Sequence, residues 1–206
     1  MNDDETGISA DEALRRLIDG NRRFTSGGMT SSAPRPEDLA QLAGGQRPFA
    51  TILGCSDSRV PPESIFDVGL GELFVVRVAG NVLSPEVAGS LQYAGAHLRT
   101  PLFVVLGHEG CGAVNAALDV KFQGVQHHSR IQLLVDSIVP ALDGVDPSLP
   151  HELRLAKAVE DNVRWTVRTI LETPEGRTRV AEGWMKCVGA VYELQTGRVR
   201  FLGPAD

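Results

Sequence analysis

The sequence predicts an α/β protein: a single domain with a central, mostly parallel β-sheet flanked by helices, an N-terminal helical arm, and a C-terminal strand hairpin at the sheet edge. Three observations predict it. Short apolar runs bounded by glycine or proline recur at residues 49–53, 73–78 and 102–106, and such runs read as buried strands. Longer amphipathic segments alternate with them, and that alternation builds a parallel sheet with helices on its faces. The last apolar run, residues 187–194, turns through Gln195-Thr196-Gly197 into residues 198–202, the pattern of a terminal hairpin.

Each element has a local reason. Ser9-Ala10-Asp11-Glu12 has the form of a capping box, and Leu14, Leu17, Ile18 and Phe24 follow at near-helical spacing up to Gly27-Gly28. This helix stands apart from the strands, so it either covers its own core or packs across a partner subunit. Residues 29–36 read as a Ser/Pro loop, and residues 36–43 as a short helix closed by Gly44-Gly45. Pro61-Pro62, beyond the first strand, can start only a short helix or turn. The second strand ends in the turn Ala79-Gly80-Asn81. Ser84-Pro85 is an N-cap followed by proline at the first helical position, for a helix carrying Val87, Leu91, Ala94 and Leu98. Residues 112–122 form the next helix, which puts Cys111 at a helix N-terminus, where a thiolate is favoured. Residues 123–150 carry a weaker signal, with residues 128–139 helical and Ile131, Leu134, Val135 and Ile138 on one face. Residues 152–173 form a long helix through Leu155, Val159, Val163, Val167 and Ile170, and residues 174–182 a short one.

The 206 residues suffice for one sizeable core, and no repeat or second globular unit interrupts them. A net charge of −6 argues against a nucleic-acid partner and against a polybasic membrane patch. No apolar stretch approaches the length of a membrane span. The acidic start Met1-Asn2-Asp3-Asp4-Glu5 lacks the apolar core of a secretory leader, so the expected location is cytoplasmic. Three cysteines, an odd number, speak against a disulfide framework and for metal binding or catalysis.

The chemistry concentrates in two stretches. Gly54-Cys55-Ser56-Asp57-Ser58-Arg59 follows the first strand, and Gly107-His108-Glu109-Gly110-Cys111-Gly112 follows the third. Ligands of open α/β sheets collect at the C-terminal ends of strands. If these two strands are parallel neighbours, Cys55, His108 and Cys111 converge, and two thiolates with one imidazole suit zinc. A structural zinc site normally closes with four Cys or His ligands. Here three stand beside a carboxylate and an arginine, which leaves an exchangeable position. Asp57 and Arg59 are close enough to pair, which keeps the carboxylate ionised; without the ligands they read as an ordinary loop ion pair. Cys187 opens an apolar strand and reads as a small buried hydrophobe. His127-His128 is a solvated loop pair or a proton shuttle. His97 and His151 carry no signal, and spacing decides nothing for Asp67 and Glu109. The glycines around His108 do not follow the dinucleotide-binding pattern.

In order and spacing, Cys55-x-Asp57-Ser58-Arg59, Ala79-Gly80-Asn81 and Gly107-His108-x-x-Cys111-Gly112 resemble the β-class carbonic anhydrases. The resemblance runs from about Gln46 to Ala117 and is weakest in the N-terminal arm and after Gln123. It implies reversible hydration of carbon dioxide to bicarbonate and a proton, with one zinc per chain held by Cys55, His108 and Cys111. It implies catalytic roles for Asp57 and Arg59, with Asp57 itself a zinc ligand in a closed state. It implies a plant-type pocket in which Gln46, Phe74, Val78, Tyr93 and Gly112 meet the substrate. It divides the chain into an arm, residues 1–45, and a zinc-binding catalytic domain, residues 46–206. The arm and the sheet edge are expected to build a homodimer or tetramer. Members with a second, inhibitory bicarbonate site carry tryptophan where this chain has Ile52, so that pocket is not expected. Two thiolates donate more charge than imidazoles, so bound water is acidified less than at a His-rich site, and the hydration rate should climb through mildly alkaline pH. Two other readings stay open: hydrolysis of carbon disulfide or carbonyl sulfide at the same zinc, and a non-catalytic protein with structural zinc. Gln46 and the intact Ala79-Gly80-Asn81 turn favour carbon dioxide.

Overall fold

A computed structural model describes residues 7–31 and 36–203 of the chain. The acidic start and residues 32–35 of the Ser/Pro loop lie outside the described residues. Among these residues, β1 (Ala50–Gly54), β2 (Leu73–Arg77), β3 (Leu102–His108), β4 (Lys186–Tyr192) and β5 (Val199–Phe201) form one sheet in the order β2-β1-β3-β4-β5. The first four strands run parallel and β5 returns antiparallel to β4. All five residues of β1 and all seven of β3 are buried. A strand buried on both faces explains why these runs are continuously apolar rather than alternating.

Side chains alternate across the sheet. Ile52, Val104 and Leu106 join one core, with Leu17, Ile65 and Phe66. Leu53 and Val105 join the other, with Val114, Leu118, Val159 and Val163. The first core is covered by α1 (Ala10–Ser26) and α3 (Pro62–Ile65), and the second by α5 (Gly112–Gln123) and α7 (His151–Glu172). Between them in sequence lie α2 (Pro36–Leu42), α4 (Pro85–Ala96) and α6 (Arg130–Asp136), and α8 (Pro174–Ala181) follows α7.

Within the chain, one face of α1 packs on its own sheet. Ala13, Leu17, Gly20 and Asn21 are buried there. A Cβ at Gly20 would stand 1.8 Å from the Phe66 carbonyl oxygen, so only glycine allows this approach. Asn21 donates to the carbonyls of Ile65 and Gly197 at 3.2 and 2.8 Å and accepts from the Val199 N–H at 2.9 Å. The weak segment resolves as α6, shorter than its periodicity suggested, then a 3-10 turn at Val139–Leu142. Pro140 and a positive φ at Ser129 (95°) bound the regular part.

Asp67 belongs to this architecture and not to the chemistry. Its carboxylate pairs with Arg23 of α1 and accepts N–H bonds from Thr30 at 3.0 Å and Ser31 at 2.8 Å. Burial pushes this carboxyl up, but Arg23, Ser31 and Thr30 together hold it well below the usual carboxylate range. A depressed folded-state pKa stabilises above the unfolded value of roughly 3.9 and loses that contribution as pH falls. Asp67→Ala should therefore cost about 2–3 kcal/mol at pH 7, with the deficit shrinking below about pH 4. Urea melts at the two pH values check this; an equal deficit at both would contradict it.

Candidate active site

Parallel β1 and β3 pair with Gly54 beside Leu106. Their C-terminal tips thus open at the same sheet edge, and Cys55 follows one directly. β3 runs on to His108, two residues beyond the expected end. Glu109 and Gly110 then turn the chain, with Gly110 at φ 64°, and Cys111 becomes the N-cap of α5. The ligand atoms of Cys55, His108 and Cys111 all lie within 4.8 Å of one another.

The donor set fits a metal ion. The two Sγ atoms are 3.9 Å apart; zinc–sulfur bonds of ~2.3 Å at a tetrahedral angle separate two sulfurs by about 3.8 Å. His108 is 0 % exposed. Its Nδ1 donates to the Glu109 carbonyl at 2.8 Å, which leaves the lone pair on Nε2. Nε2 is buried with no hydrogen-bond partner among the described residues. Such an orphan is costly unless something else meets it. Cys55 is driven down, first by the Cys111 thiol, against burial, with His108 and the Gly80 N–H assisting; Cys111 is driven up by Cys55 and by burial.

Asp57 stands at the mouth of this group, with Oδ2 3.8 Å from His108 Nε2. Arg59 grips it as a fork: Nε donates to Oδ1 at 2.9 Å and Nη2 to Oδ2 at 2.7 Å. The Arg59 backbone N–H adds a third bond, 3.0 Å to Oδ1. Arg59, more than any other neighbour, holds the Asp57 carboxyl well below the usual carboxylate range.

Residues 50–199 match the sequence model of the family described as Carbonic anhydrase. The chain belongs to the carbonic anhydrase family. It is 38% identical over 192 residues to Carbonic anhydrase 2 of Mycobacterium tuberculosis (strain H37Rv), covering 90% of this chain and 89% of the relative. The solved Coccomyxa β-carbonic anhydrase in complex with acetazolamide aligns with TM-score 0.72 and 29% identity, over 92% of this chain and 86% of that one. A tetrameric β-carbonic anhydrase from Sordaria macrospora shares the fold, with TM-score 0.73 at 24% identity over 94% of this chain and 98% of that one. The protein is thus a β-class carbonic anhydrase, and its reaction is the zinc-dependent reversible hydration of carbon dioxide to bicarbonate and a proton. No helix among the described residues is long and apolar enough to cross a membrane.

The other residues read from the sequence are spread around this carbonic anhydrase. Phe74 and Val78 pack against the core that holds Cys55 and Cys111. Phe74 and Tyr93 pair their rings at 6.1 Å. Gly112 opens α5, and a Cβ there would meet nothing within 4 Å. Gln46 is exposed and lines a cavity of about 1310 Å³ with Arg16, Arg23 and Asp67, a cavity that Cys55, His108 and Cys111 do not line. Glu109 serves through its carbonyl on His108, while its carboxylate accepts from the Leu194 N–H at 3.1 Å. His151 bonds Asn115 at 2.9 Å.

Sequence reading missed Arg77. From the end of β2 its Nε donates to the Cys55 carbonyl at 2.9 Å and its Nη2 to the Asp57 carbonyl at 2.5 Å. One guanidinium thus fixes the backbone on both sides of Ser56. The available signal was an arginine closing an otherwise apolar strand.

Proposed function

We propose that Asp57, held by Arg59, orients the water that attacks carbon dioxide beside an ion held by Cys55, His108 and Cys111. The observation that supports this reading is the three-bond grip on Asp57 next to the ligand group. Zinc, when bound, polarises water and eases loss of its proton. An ionised carboxylate can only accept hydrogen bonds. Asp57 therefore takes an O–H of the water and leaves a lone pair free to face the substrate carbon. Arg59 engages both carboxylate oxygens, so Asp57 becomes a metal ligand only when that fork opens. Phe74, Val78, Tyr93 and Gly112 are proposed to offer apolar or open surface to a non-polar gas. Gln46 joins them by resemblance, as an amide suited to bicarbonate.

Residues 46–206 form the catalytic unit in this reading, and residues 1–45 the arm. Free thiols as metal ligands suit a reducing compartment, so the proposed location is the cytoplasm. Copies are proposed to assemble as a dimer or tetramer through the arm and the sheet edge. β2 is an edge strand whose Phe74, Val75 and Val76 are only half-buried, and such edges invite pairing. Light scattering should give the mass of two or four chains; a single-chain mass would remove this part.

The test of the catalytic reading is stopped-flow hydration of carbon dioxide by zinc-loaded protein from pH 6 to 9. The rate should climb through the mildly alkaline range. A flat profile would count against it, and faster turnover of carbonyl sulfide or carbon disulfide would reassign the substrate.

A further inference from the structure

Asn162 sits on the buried face of α7, 1 % exposed, with Ala158, Val159, Val163 and Thr166 on the same face. A buried amide is costly unless its polar atoms are used. Asn162 Nδ2 donates to the Gly80 carbonyl at 2.9 Å, and that carbonyl fixes the amide's orientation, since a carbonyl only accepts; Oδ1 is buried with no hydrogen-bond partner among the described residues, so this one bond is what the amide is kept for. The Gly80 N–H in turn donates to Cys55 Sγ at 3.4 Å. One residue thus passes a hydrogen-bond chain from the centre of a helix to a sulfur of the metal group.

The turn that carries this chain has little freedom. Gly80 has φ 69° and Asn81 has φ 46°, both left-handed. A Cβ on Gly80 would stand 2.7 Å from Ile138 Cδ1 and 3.2 Å from Ala113 Cβ. The helix is equally fixed: a Cβ at Gly107 would stand 2.5 Å from Val163 Cγ2, and one at Gly189 2.7 Å from Val163 Cγ1. The Asn162 backbone is therefore seated against the sheet one residue from its tightest contact.

We propose that Asn162 is a positioning residue for the metal-binding thiolate of Cys55: by holding the Gly80 carbonyl, it aims the Gly80 N–H at Sγ. The inference rests on Cys55 being a ligand. An N–H on a thiolate withdraws charge from sulfur and fixes its direction, and such outer partners tune both retention and reactivity of a metal.

Cobalt(II)-loaded protein tests this, because its near-ultraviolet sulfur-to-metal charge-transfer band reports charge on the thiolates. In Asn162→Leu the band should move to longer wavelength, and zinc release to a chelator should quicken about tenfold. Cys55→Ser should weaken the same band. If Cys55→Ser weakens it and Asn162→Leu leaves both band and release rate unchanged, the role of Asn162 is overturned and the ligand reading stands. If Cys55→Ser leaves the band intact, the ligand reading falls and the proposal with it. Should the leucine variant not fold, Asn162→Ala carries the same measurements. Failure of both to fold would make Asn162 a packing residue and overturn the proposal.

Discussion

Cys111→Ser is expected to release the metal and reduce carbon dioxide hydration to background. A serine hydroxyl stays protonated at neutral pH and is a poor zinc ligand, whereas a thiolate at the first turn of a helix is favoured by the N-terminal dipole. In this protein Cys55 and burial push the Cys111 thiol up, and the N–H groups of Val114 and Ala113 at the start of α5 offset this only in part, so the ion is what keeps this sulfur ionised. Loss of a ligand should cost more affinity than the roughly 10–100-fold that an outer-shell change costs. The variant should also unfold more easily, because Cys55 and His108 would remain buried without the ion that joins them. Metal analysis after dialysis, beside a hydration assay, checks both statements. One zinc per chain in the dialysed variant would refute the assignment of Cys111.

Arg59→Ala should behave differently: zinc retained, melting temperature slightly lowered, and kcat down by about 100-fold. The Arg59 side chain is 58% exposed, but its removal leaves the Asp57 carboxylate, only 17% exposed, without its cation, which costs some stability. Asp57 loses its fork and with it a fixed direction. The freed carboxylate can then turn towards the metal and take the position water needs. Arg59→Lys should recover only part of the rate, since an ammonium cannot grip two oxygens in parallel. Full turnover in the alanine variant would remove Arg59 from the mechanism.

Most of this fold is legible in residue pattern, because the central strands are buried on both faces and punctuated by glycine and proline. The end of β3 is less so. Gly107 reads as a stop, yet it lies within the strand, because α7 approaches too closely there for any side chain. The metal group is legible because its residues are chemically distinctive and occupy equivalent strand tips. Arg77 and Asn162 are harder, since both act through backbone carbonyls and leave no spacing motif. Asn162 still left a trace: a polar side chain on the face of α7 that carries Val159 and Val163. The place of α1 depended on Gly20 and Phe66 meeting across 46 residues of sequence, which no local pattern contains. The length of α6 was misjudged because apolar periodicity continues past the point where Pro140 forbids the backbone bond.

β1 and β3 are inner strands, with β2 on one side and β4 on the other. Chain length is therefore free to drift at the two margins of the protein, in the loop before α6 or beyond β5, without disturbing the grip on the ion. An insertion or deletion within β1, β3 or the turns at residues 55–59 and 109–111 has no such latitude, because it would shift one ligand against the others. Descendants of this sequence should differ in size in their connecting loops and keep these two strand tips residue for residue.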